Sequence, residues 1–159
     1  MIRFRTLLAP LALIAFAMPL AAQDSTANIA AQMELLRSDV NSEKIAVLTE
    51  ALGMTEEQSQ AFWPVYRAYQ VKLAEIGDRR LRNIKRFSDN FTTMTDEVGA
   101  EIAKEWFDQQ EDRLELLHNT HRDVAEAIGG MLAARFVQVE QTLNMLIDIQ
   151  VAAALPLIQ

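Results

Sequence analysis

Apolar side chains recur every three or four residues along two long stretches of the chain, 55–87 and 96–128, with one short polar segment between them. The first series is Phe62, Tyr66, Tyr69, Leu73, Ile76, Ile84 and Phe87, interrupted by Arg80. The second is Ala103, Phe107, Gln110, Leu114, Leu117, His121, Val124 and Ile128. This spacing predicts two amphipathic helices, the second with a coiled-coil-like seam that includes two polar members. Each helix would be roughly 50 Å long. Folded back on each other about the segment "SDNFTTMTDEV", they form a hairpin too thin to cover its own apolar faces. Shorter helices, a second copy of the chain, or both must pack along it. The expected fold is therefore all-α: an elongated antiparallel helical hairpin with shorter packing helices, assembled as a homodimer.

The ends of these helices are marked by residues that satisfy unpaired backbone groups. In "MTEEQ", Thr55 can accept from the third helical amide while Gln58 reaches back to the amide of Thr55, a capping box. Glu56 and Glu57 place negative charge where the helix dipole favours it. Thr95, followed by Asp96 and Glu97, is a second capped start. Upstream, Ile45, Leu48 and Leu52 in "NSEKIAVLTEALG" predict a short helix, and Gly53 suits the left-handed position just past its end. Pro64 cannot donate to the carbonyl of Gln60, so a kink is expected there. Gly129-Gly130 marks a break, read as a loop between helices. A last helix from near Met131 carries Leu132, Phe136, Val139, Leu143 and Leu146. Glycine and proline number only five and four, and no stretch alternates with period two, so strands are not expected.

The first residues have a different character. "MIRFRTLLAPLALIAFAMPLAAQ" sets two arginines before a short apolar run and small residues, the layout of a secretory signal peptide cleaved after Ala22. An uncleaved anchor is the alternative, although the run from Thr6 to Ala22 is short for a span and holds Pro10 and Pro19. Residues 23–40 read as a flexible N-terminal segment and 41–159 as a single helical domain. The expected location is the periplasm. The chain contains no cysteine, which excludes disulfides, thiolate metal sites and a lipidated N-terminal cysteine. Its net charge is −7, and losing Arg3 and Arg5 with the leader makes it more acidic still. Non-specific nucleic-acid binding is therefore not expected, nor is stable membrane insertion of the mature chain.

Three constellations invite a functional reading. Phe62, Tyr66 and Tyr69 share one helix face, with Trp63 turned about 100° away from Phe62. They form either core or an apolar surface for a client or second subunit. Met54, Phe62, Trp63, Tyr66 and Phe136 are the candidate contact residues, since aromatic and methionine side chains suit promiscuous binding. The basic run "RRLRNIKR" supplies Arg79, Arg82 and Arg86 as a charged rim or a client- or lipid-binding patch. In an antiparallel pair it can instead form a charge ladder, with Arg86 meeting Glu97 or Glu101, Arg82 meeting Glu101 or Glu105, and Arg79 meeting Glu105 or Asp108. Glu115, His118 and His121 recur at single-turn spacing, but three ligands on one helix are an incomplete zinc set, so no metal is assigned. No nucleophile–base pair or phosphate-cradling glycine loop is visible, and no enzyme activity or cofactor is expected.

At "MTEEQ" and "MTDEV" the sequence resembles the Spy/CpxP-like periplasmic proteins, whose mark is a pair of L-T-x-x-Q motifs at helix starts. Methionine stands for leucine in both, and Val98 stands where the second glutamine is expected. "FWPVYRAYQ" and "ARFVQVEQTL" resemble segments of exported helical proteins grouped near that family. The resemblance implies an all-α, cradle-like antiparallel dimer. It also implies ATP-independent chaperone activity towards partially unfolded proteins, or a role in the stress response as a dedicated regulator or adaptor of an envelope-stress or metal-responsive sensor.

Overall fold

A computed structural model describes residues 44–157, and the regular structure among them is entirely helical. The expected leader, 1–22, and the expected flexible segment, 23–40, lie outside the described residues. Helix α1 is described over 44–52. It is followed by α2 (Glu56–Asn90), a 3-10 turn (Phe91–Thr93), α3 (Asp96–Ile128) and α4 (Gly130–Ala154).

Local chemistry accounts for each boundary. Gly53 ends α1 at φ +56°, its amide donating to the carbonyl of Thr49 at 3.3 Å. The capping box opens α2: the Gln58 amide donates to Thr55 Oγ1 at 3.2 Å, and the Thr55 amide to Gln58 Oε1 at 3.0 Å. Helix α2 then passes through Pro64, an exposed residue, without interruption. Near its end the Asn90 side-chain amide donates to the carbonyl of Arg86 one turn back, at 2.8 Å. Thr95 caps α3 through the Val98 amide at 3.3 Å. Valine has no acceptor to return, so this cap is one-sided. The Glu97 carboxyl is held below its ordinary range by its own backbone amide and by Thr95.

Gly129 alone links α3 to α4. Its φ of +91° with ψ of 151° lies in a region only glycine occupies readily, and no atom approaches where a Cβ would stand. The expected break is thus a single residue, and Gly130 already belongs to α4.

The bonded pairs fix how the helices run. Arg86 meets Glu101 and Asn83 meets the carbonyl of Ile102, so α2 and α3 lie side by side in opposite senses. Phe136 meets Phe62, Tyr66 and Tyr69, and Asp148 lies between Arg80 and Arg113. Helix α4 therefore follows the sense of α2 and opposes α3. Lys44 reaches Glu140 and Asn144 while Arg135 reaches the carbonyl of Ala51, so α1 opposes α4. The core gathers where all four meet, around Leu48, Leu52, Phe62, Tyr69, Val124 and Phe136. Each large apolar group buried there contributes about 1.5–3 kcal/mol.

The α3 seam departs from expectation. Leu117, Val124 and Ile128 are buried, but Phe107 and Leu114 face outward. Ile102 and Gln109 occupy the inner side of the first half instead. The covered side changes along α3: Trp106 and Val124, five turns apart, share one helix direction, yet the first is half exposed and the second buried.

Candidate functional site

The aromatic group on α2 resolves into core. Phe62 and Phe136 are 0% exposed, Tyr66 is buried, and the Phe62 and Phe136 rings meet edge-on at 5.8 Å. Phe62, Tyr66 and Phe136 therefore do not form an exposed contact surface, a correction to that reading. Helix α4 covers the face of α2 that carries them. Met54 and Trp63 are half-buried against the same core. The Trp63 indole N–H donates to Ser59 Oγ at 2.9 Å, one turn back on α2.

Beside these rings lies a polar cluster that sequence reading missed. Glu140 is 0% exposed, and its Oε1 accepts from Lys44 Nζ at 2.6 Å and from the Tyr69 hydroxyl at 3.0 Å. Lys44 also donates to Asn144 Oδ1 at 3.3 Å. The second carboxylate oxygen, Oε2, has no hydrogen-bond partner among the described residues. Burial first, and then the charge of Glu140, push the hydroxyls of Tyr69 and Tyr66 well above the usual phenol range. The signal was present in the spacing. Glu140 and Asn144 follow Phe136 at intervals of four, and Lys44 precedes Leu48 and Leu52 at the same interval. All lie on buried faces.

The basic run pairs within the chain, but not in the expected register throughout. Arg86 meets Glu101 at 2.9 Å as read from sequence, whereas Arg79 bonds Asp112 instead of Glu105 or Asp108. Asp112 lies one turn beyond Asp108 on the same side of α3, within reach of the long Arg79 side chain. Arg82 is exposed and lines a groove of about 540 Å³ between α2 and α3 with Lys72, Arg79, Asp112 and Glu115. Arg80 and Arg113 converge on Asp148. Burial pulls the Asp148 carboxyl upward, but bonds from the two guanidiniums outweigh it and hold the group below its ordinary range.

Two outward apolar faces were also missed. Trp106, Phe107 and Leu114 on α3 are 49%, 59% and 64% exposed. On α4, Met145, Leu146 and Ile149 all point away from the core. Beyond Arg135 the charged residues of α4 are Glu140, which is buried, and Asp148, which is paired and half-buried. The outer face of its second half thus carries no charge. Of the metal candidates, Glu115 and His118 are exposed and His121 is half-buried. Among the described residues no three His, Asp or Glu side chains gather as a metal site, and no helix is long and apolar enough to cross a membrane. The chain matches no protein-family model, no curated protein and no solved structure.

Proposed function

We propose that this chain is a periplasmic, ATP-independent chaperone-like protein that binds partially unfolded polypeptides through the outward face of α3. The supporting observation is the set of six large apolar side chains, Trp106, Phe107, Leu114, Met145, Leu146 and Ile149, each about half or more exposed. Apolar area of this kind, beside charged groups, marks interaction surfaces. Charged side chains along α2 and α3 speed encounter with a client, and apolar contact holds it weakly. The resemblance of "MTEEQ" to the Spy/CpxP-like motif points the same way.

In this reading α2 and α3 are the hairpin of an elongated cradle, and the uncharged outer face of α4 meets its counterpart in a second copy. Leu146→Lys with Ile149→Lys then raises the dimer dissociation constant at least tenfold, which sedimentation at graded concentrations measures. The function itself is tested with a chemically denatured client diluted into buffer without nucleotide. The chain slows aggregation at near-equal ratio. No effect at several-fold excess removes the proposal.

A further inference from the structure

We propose that the cleft holding α1 is a binding seat for amphipathic helices bearing an arginine, and that α1 occupies it as a replaceable plug. α1 shows what the seat accepts: a cation at Lys44, then apolar residues four and eight positions later at Leu48 and Leu52, all buried. The apolar residues join Phe62 and Phe136 in the core, and the cation enters the buried cluster on Glu140.

The fit is incomplete at one atom. The ammonium of Lys44 engages only Oε1 of Glu140, and Oε2 is buried without a donor among the described residues. A carboxylate removed from water and bonded at one oxygen is poorly compensated. A guanidinium presents two parallel N–H groups at the spacing of the two carboxylate oxygens and can satisfy both. The seat is thus chemically better matched to arginine than to the lysine that fills it. On leaving, α1 returns two charges to water, which offsets part of the cost of vacating an apolar cleft. Gly53, at φ +56°, joins α1 to α2 and gives the departing helix a pivot.

This seat is separate from the outward faces of α3 and α4, so each reading can fail alone. If peptide capture is retained and aggregation is not slowed, only the chaperone reading falls.

The test uses the chain from Gln23 to Gln159 and fluorescein-labelled peptides copying residues 44–55, one with Lys44→Arg and one with Lys44→Ala. Fluorescence anisotropy shows the arginine peptide binding at least tenfold more tightly than the alanine peptide, and Glu140→Gln in the protein reduces that preference below threefold. Equal affinities, or no binding of either peptide, overturn the proposal. A second measurement needs no variant. In the wild-type chain the amides of Leu48 and Leu52 exchange with solvent at least tenfold faster than those of Tyr66 and Tyr69. Exchange of all four at one rate means that α1 leaves only on global unfolding, and the plug is then excluded.

Discussion

Tyr69 is where the core meets the buried charge. Its ring packs edge-on against Phe136 and its hydroxyl donates to Glu140. A hydrogen bond to a charged group is worth about 1.5–3 kcal/mol. Tyr69→Phe keeps the ring and removes the donor, so it lowers unfolding free energy by about that amount in a urea titration, with the denaturant slope unchanged. Asp148 gives a pH signature instead. Its carboxyl is held below the ordinary range in the folded chain, so the unfolded state takes up the proton first as pH falls. The stabilisation is complete above the ordinary carboxylate range and disappears as pH drops through the lower, folded value. Asp148→Asn flattens this part of the acid limb, and thermal melts across the acid range measure the change. These residues were hard to assign from sequence for one reason. A polar residue in an apolar stripe reads equally as an interruption, as Arg80 did, or as a buried partner, as Glu140 is. The choice depends on what another helix brings, and Lys44 lies 96 positions away in the chain.

At the level of elements, the chain was most legible at its helix ends. Thr55, Thr95 and Gly53 act on groups within four residues of themselves, so their chemistry is local and visible in the sequence. The packing faces were less legible. The seam through Phe107 and Leu114 was read on one periodicity for the whole of α3, but the direction of the core changes along that helix as α4 joins it. The single-residue link makes a paired prediction. Gly129→Ala forces a side chain into a backbone conformation that disfavours it and costs about 1–3 kcal/mol. Gly130→Ala lies in open space at the helical start of α4 and is neutral or stabilising by less than about 1 kcal/mol. Comparing the two melting temperatures checks the backbone origin of the effect.

At the level of the whole molecule, two kinds of surface lie on one helical scaffold. Surface ion pairs such as Arg86 with Glu101 and Lys104 with Asp108 are each worth only about 0–1 kcal/mol, so they orient helices more than they stabilise them. The outward apolar residues leave about half or more of their surface uncovered among the described residues. Hydroxyl-radical footprinting with and without a denatured client tests most directly whether those on α3 meet the client. On client binding Trp106, Phe107 and Leu114 lose at least two-thirds of their labelling, while Met131, exposed beside the Gly129 link, keeps its own. Full labelling of all four residues while aggregation is suppressed would place the binding surface elsewhere.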